Sequence, residues 1–399
     1  MHTVTPEEAG FSASRLSRID TVMQRYIGQG KIAGIITTVA RHGKTVHLEK
    51  FGMMVIEAQK PMQFDTIFRI ASMTKPITSI AAMMLYEEGH FNLNTPISQF
   101  IPAFKEVQVL VKATESGLEL APLEREITFR HLFTHTAGLA YGFDPPDAID
   151  RLYQAAFQKL AQSGPPVTRK QAVEAITQLP LAYQPGARWR YSVAIDILGY
   201  LVEVISGLSL DTFLEERIFQ PLGMVDTAFF VPEEKAVRRA ALYEYSQEAK
   251  RLLRVDIQFP SFLSAGAGLV STVHDYARFA QMLVNGGELD GVRLLGPKTV
   301  ALMEMNHAPA QVLPYGFAEN DLYHAGYGYG LGMRVLMDVS QSGIAGSVGE
   351  FGWDGAFSTY FWIDRKEALY GLMMLQHQPN AYYPIAQQFK ALTYQALVE

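Results

Sequence analysis

The sequence predicts a mixed α/β (α+β) protein. An antiparallel sheet formed from both chain ends is flanked by helices and carries a mainly helical insertion. Three observations predict it. Apolar residues alternate with period two near both ends of the chain. Between those ends, helical spacings dominate, and one helix is apolar nearly all round. Strand and helix signals do not alternate as they would in a parallel βαβ array. The expected division is 1–68 with 261–399 for the sheet part and 69–260 for the helical part. The site is expected where the two parts meet.

Each element follows in turn. Residues 7–28 read as a helix, because Leu16, Ile19, Met23 and Ile27 recur at helical spacing. Residues 34–41 and 44–51 read as two strands joined by the turn His42-Gly43. Residues 77–85 have almost no polar face, so that helix is expected to be buried, with Gly89 as its stop. Residues 192–205 form the clearest helix of the middle region and end at Ser206-Gly207. A further helix over 272–284 follows the glycine-rich run Ala265-Gly266-Ala267-Gly268. Near the C-terminus, 327–335, 356–363 and 368–375 read as antiparallel strands, the last two joined by a charged turn at 364–367. A helix over 384–398 closes the chain.

Composition narrows the function classes. The 399 residues include 34 basic and 40 acidic side chains, for a net charge of −6, so the basic excess of a general nucleic-acid binder is missing. The chain has no cysteine, which excludes disulfides, thiolate nucleophiles and Cys-bound metal centres. No run of about 20 apolar residues suggests a membrane span. The N-terminal residues show no basic stretch followed by an apolar one, so no signal peptide is readable and a cytoplasmic location is expected.

Three short stretches carry candidate chemistry. In Ser72-Met73-Thr74-Lys75, a serine and a lysine three apart on a helix share one face, so the amine can reach the hydroxyl. Burial would push the lysine pKa down and let it accept or relay a proton. In Tyr191-Ser192-Val193, a tyrosine stands at a loop-to-helix junction from which it can point into a cleft. A cationic neighbour such as Lys75 would lower its phenol pKa and make it a proton acceptor. Gly352-Trp353-Asp354-Gly355-Ala356 leads into the expected strand 356–363. An edge strand there would offer free N–H groups to a substrate oxyanion. Each stretch alone also fits a bland role: a capping serine beside a solvated lysine, a packing tyrosine, a β-turn.

Together the three stretches resemble the serine β-lactamase and penicillin-binding-protein superfamily, and within it the class C-like branch of family VIII carboxylesterases. Three more stretches are similar to that superfamily: Ile127-Thr128-Phe129-Arg130-His131-Leu132-Phe133-Thr134-His135-Thr136-Ala137-Gly138-Leu139, Gly266-Ala267-Gly268-Leu269-Val270-Ser271-Thr272, and Asn285-Gly286-Gly287-Glu288-Leu289-Asp290-Gly291. The resemblance runs from about residue 7 to the last helix. It implies a β-lactamase-like fold, with Ser72 as the acylated serine, Lys75 as its partner and Tyr191 as the proton-exchanging tyrosine. Trp353-Asp354-Gly355 falls where the β-lactamases carry Lys-Thr-Gly. The backbone N–H groups of Ser72 and Ala356 would form the oxyanion hole.

Two departures bear on substrate. Val193 replaces an asparagine of the class C enzymes, and Trp353 removes the cation that would hold a substrate carboxylate. Both favour an uncharged, more apolar acyl substrate, with Tyr141, Phe143, Trp353 and Gly355 near it. The expectation is a serine carboxylesterase acting on short-chain or aryl esters, with no cofactor and no metal. Acyl transfer, weak β-lactam or peptide cleavage, and an inactive binding protein are the alternatives; oligomeric state is not readable. His131 and His135 have metal-ligand spacing, but Leu132 stands where a zinc-protease motif needs glutamate. Ala345-Gly346-Ser347-Val348-Gly349 falls short of a nucleophile elbow, so Ser347 reads as a loop residue. Residues 326–332 alternate glycine with larger residues and read as a closely packed strand.

Overall fold

The computed structural model describes residues 2–114, 117–162, 164, 167–256, 264–316 and 325–399. Eight strands form one antiparallel sheet: β1 (Gly34–Arg41), β2 (Lys44–Val55), β3 (Lys60–Pro61), β4 (Tyr327–Tyr329), β5 (Arg334–Leu336), β6 (Phe351–Asp354), β7 (Tyr360–Asp364) and β8 (Leu369–Leu375). Their spatial order is β4-β5-β6-β7-β8-β1-β2-β3. The C-terminal β8 thus pairs with the N-terminal β1, from Ile35 opposite Leu375 to Arg41 opposite Leu369. The strand pattern at the two chain ends therefore closes into a single sheet, as the period-two reading expects. The expected boundary at 260/261 lies outside the described residues.

The eight helices that matter here are α1 (Arg18–Gly28), α2 (Thr74–Glu87), α3 (Phe129–Phe133), α4 (Ala148–Gln162), α5 (Arg169–Ile176), α6 (Ala194–Ser206), α7 (Val273–Val284) and α8 (Ile385–Tyr394). Alternate strand residues enter two cores. Ile36, Phe361, Ile363, Leu372 and Met374 face the larger one, with α2, α6 and α7. Ile35, Val39, Trp362, Met373 and Leu375 face the smaller one, under α1 and α8. Every residue of α2 from Thr74 to Leu85 is buried. Ile77, Ile80, Met83 and Leu85 there contribute about 1.5–3 kcal/mol each by burial. α2 packs along α6, which fixes the face from which Lys75 projects. Among the described residues, no single helix is long and apolar enough to cross a membrane.

Four local expectations are corrected. The segment 7–28 is not one helix: a 3₁₀ turn (Pro6–Ala9), a short helix (Ala13–Leu16) and α1 follow one another. Gly10, at φ 76°, ends the first piece, and helical spacing continues across that break without revealing it. The segment 327–335 is a hairpin, β4 and β5, rather than one strand. Gly332 at φ 88° reverses the chain, and a Cβ there would fall 2.0 Å from Ser79 Oγ. The strand expected from Ala356 starts at Tyr360, because Gly355 to Ser358 forms a tight turn closed by Ser358 N–H to the Gly355 carbonyl at 2.9 Å. Trp353 therefore belongs to the preceding strand, β6, which is internal rather than an edge. Even so, β5 pairs only with Phe351 and Gly352, so the Trp353-Asp354 end of β6 runs past its neighbour. Finally, the closing helix spans Ile385–Tyr394, shorter than 384–398, because Val398 leaves it to donate its N–H to the Gly10 carbonyl.

Candidate active site

Ser72 lies in a single 3₁₀ turn (Ala71–Met73) that leads directly into α2. The residue before it, Ala71, takes φ 44°, a strained left-handed conformation for a residue with a Cβ. One helical turn on, Lys75 is completely buried. Its Nζ donates to Ser72 Oγ at 3.1 Å and to the Gly266 carbonyl at 2.8 Å. Burial pulls the Lys75 pKa down to about 7, although the carboxylates of Asp196 and Asp354 act against that shift. The amine is thus neutral in a large share of molecules at neutral pH.

The Gly266 segment is held from α6. Asp196, in the first turn of that helix, accepts from Ser264 Oγ at 2.6 Å and from the Gly266 N–H at 3.2 Å. A Cβ at position 266 would fall 2.8 Å from Asp196 Oδ2 and 3.4 Å from Lys75 Nζ, so the close approach requires glycine.

Tyr191 comes from the loop just before α6. Its hydroxyl donates to Ser72 Oγ at 2.8 Å and accepts from Trp353 Nε1 at 3.4 Å. Lys75 Nζ lies 4.6 Å from the centre of the Tyr191 ring. The expectation of a phenol made acidic by Lys75 is corrected here. Burial pushes the Tyr191 pKa up, and the hydrogen bonds to Ser72 and Trp353 only partly offset it. At neutral pH Tyr191 is a protonated donor, while Lys75 has the pKa of a base.

The remaining expected residues fall around this centre. Trp353 is 1% exposed and packs beside Tyr191, with ring centroids 5.8 Å apart, rather than lining open space. A Cβ at Gly355 would fall 2.4 Å from the Ile70 carbonyl, so the end of β6 presses on the backbone just ahead of Ser72. Ala356 is exposed in the following turn. Tyr141 is partly buried with its ring 5.3 Å from that of Tyr191. Phe143 is 72% exposed and stacks on Tyr141 at 4.6 Å.

Sequence reasoning missed several contributors. Asp196 left a signal, as an acidic residue in an otherwise apolar helix start. The ion pair of Arg334 Nη1 with Asp354 at 2.9 Å left none, since it joins two strands. Asn380 Nδ2 donates to the other Asp354 oxygen at 3.1 Å. His131 Nδ1 accepts from the Thr128 N–H at 3.1 Å, a helix-capping role. No group of three potential metal ligands occurs among the described residues. Ser347 lies in a loop.

Comparison with known proteins gives a family model described as Beta-lactamase, which matches residues 19–395. Protein Rv1367c of Mycobacterium tuberculosis is 38% identical over 360 residues, covering 88% of this chain and 87% of its own. A lovastatin esterase of Penicillium rubens is 30% identical over 385 residues, covering 90% and 92%. Among solved structures, EstCE1, described as a hydrolase with promiscuous acyltransferase activity, superposes with a TM-score of 0.78 at 25% identity, covering 96% of this chain and 99% of its own.

Proposed function

This chain belongs to the beta-lactamase family and is a serine hydrolase, and from that premise we propose that it is a carboxylesterase which cleaves short-chain or aryl esters through an acyl-enzyme on Ser72. One observation carries the reading: Lys75 Nζ and Tyr191 OH, from separate parts of the chain, both lie within hydrogen-bond reach of Ser72 Oγ, at 3.1 and 2.8 Å. Neutral Lys75 takes the Ser72 proton as Oγ forms its bond to the ester carbonyl carbon. The Tyr191 hydroxyl donates into the same oxygen and steadies the charge that develops there. As the tetrahedral intermediate collapses, the C–O bond to the alcohol breaks. The proton held by the Lys75–Tyr191 pair passes to the leaving oxygen. Water then repeats the sequence on the acyl-enzyme: Lys75 accepts its proton, the acid departs and Ser72 is restored.

The backbone N–H groups of Ser72 and Ala356 are proposed to hold the carbonyl oxygen. Contact between Gly355 and Ile70, which brings the end of β6 against the Ser72 turn, supports this. An indole at 353 in place of a cation supports an uncharged substrate, with Tyr141 and Phe143 as an aromatic wall. The division into a sheet part and a helical part belongs to the same reading. Ser72, Lys75 and Tyr191 come from 69–260, and Trp353 comes from the sheet.

The direct test is hydrolysis of an aryl acetate by Ser72→Ala. A fall of about 10³-fold or more is expected, and retention of most activity contradicts the assignment. Adding a competing alcohol, and in parallel a chromogenic cephalosporin, separates hydrolysis from acyl transfer and β-lactam opening.

A further inference from the structure

Tyr191 stands on a loop rather than a helix, yet its hydroxyl reaches one defined oxygen. Both of its chain neighbours are tied to a single residue, His135. The Arg190 N–H donates to the His135 carbonyl at 2.9 Å. The Ser192 N–H donates to His135 Nδ1 at 3.3 Å, and Ser192 Oγ lies 3.3 Å from the same nitrogen. The imidazole also lies against the phenol between them, with ring centroids 4.7 Å apart. Trp189 and Tyr329 close around it edge-on, at 6.0 and 5.5 Å. His135 is fully buried and takes φ 54°, a left-handed conformation uncommon outside glycine but enriched in His and Asn. With that twist its carbonyl and its ring both address residues 190–192.

The hydrogen bonds fix the state of the ring. A backbone N–H can only donate, so Nδ1 carries a lone pair and the neutral ring holds its proton on Nε2. Among the described residues, that Nε2 is buried with no hydrogen-bond partner. Among the described residues, the titratable Tyr191 and Tyr329 pack against the ring and the charge of Lys75 acts on it. Burial, and next the charge of Lys75, push the imidazole pKa well below its ordinary value. A second proton would have to sit on Nδ1, against the Ser192 N–H. The ring is therefore a fixed acceptor and not a proton carrier.

We propose that His135, as its Nε2–H tautomer, is a positioning residue that clamps residues 190 and 192 and thereby holds the Tyr191 hydroxyl on Ser72. The inference rests on the reading of Ser72, Lys75 and Tyr191 as the reacting groups. Two variants test it. His135→Asn keeps an acceptor close to the Nδ1 position and tolerates the left-handed backbone; His135→Gly tolerates the backbone and lacks the acceptor. Both are assayed with an aryl acetate for kcat, KM and pH profile, and for cooperative melting. For the glycine variant, kcat is expected to fall about 30-fold with KM changed by no more than about threefold, as befits a misplaced reacting group. The asparagine variant is expected to recover to within about fivefold of the parent, with the acidic limb of its pH profile unmoved.

Full kcat in the glycine variant overturns the proposal. So does a folded asparagine variant that loses kcat more than about tenfold, or one whose acidic limb moves. Where the glycine variant does not fold, the asparagine variant decides alone by the same criteria. Ser72→Ala separates the two levels. If it stays active, the reading of the site fails; if it is inactive while His135→Gly is fully active, only the clamp fails.

Discussion

Two lysines of this chain are completely buried, on helices that belong to the two separate cores either side of the sheet, and their surroundings give them opposite chemistry. Lys75 on α2 touches a hydroxyl and a carbonyl, and burial brings its pKa to about 7. Lys390 on α8 is equally buried but lies 2.5 Å from Glu350 and 3.2 Å from the Tyr327 hydroxyl. Burial is again the largest influence and acts against its charge, but the Glu350 carboxylate, together with Tyr360 and Tyr327, outweighs it and holds the pKa above the usual lysine range. Burial alone therefore does not decide whether a lysine is a base or an ion. The nearest partner decides: neutral groups leave a proton acceptor, and a contacting carboxylate leaves a structural ion pair.

The largest expected effect breaks this comparison in both directions. Lys75→Met should lower kcat/KM by about 10³-fold or more, while costing no more than about 2 kcal/mol of stability, since only hydrogen bonds to neutral groups are lost. Lys390→Met should do the reverse. It strands Glu350 without its partner and should cost about 3–5 kcal/mol, with activity per folded molecule within about twofold of the parent. Urea unfolding and steady-state assays on the two variants check both halves. Equal effects of the two changes on stability and on rate would show that the regions do not differ as described.

The Lys75 half of this contrast was legible in the sequence, and the Lys390–Glu350 half was not. The Ser72–Lys75 spacing and the unbroken apolar run behind it already implied a buried amine beside a hydroxyl. The alternation at both chain ends implied one antiparallel sheet built from both termini; that β1 and β8 are the strands that join them did not follow from it. Periodicity could not show that Gly10 breaks the first helix or that Gly332 folds 327–335 into a hairpin, because a left-handed backbone leaves the apolar spacing intact. The direction of the Tyr191 shift was also hidden. A nearby cation lowers a phenol pKa, but burial raises it more, and burial depends on Tyr141, His135 and Trp353 arriving from distant segments. The Asp354–Arg334 pair was invisible for the same reason.

The smallest expected effect sharpens the site half of the comparison. Trp353→Phe keeps a ring beside Tyr191 and deletes the N–H that donates to its hydroxyl, together with part of the indole's bulk. A loss of about three- to tenfold in kcat, with KM little changed, is expected from one hydrogen bond to the reacting phenol. Steady-state kinetics with an aryl acetate measures it. A hundredfold loss would mean that the indole itself contacts the reacting carbonyl.

The most direct measurement of the central claim, a neutral buried amine acting on Ser72, is the rate at which an ester-like phosphonate becomes attached to the protein as a function of pH. The account predicts one adduct, mapped to the peptide containing Ser72. Its rate of formation should rise about tenfold per pH unit below pH 7 and level off above it, as Lys75 loses its proton. An adduct on any other residue, or a rate that continues to climb toward the ordinary lysine range near pH 10.4, would contradict it.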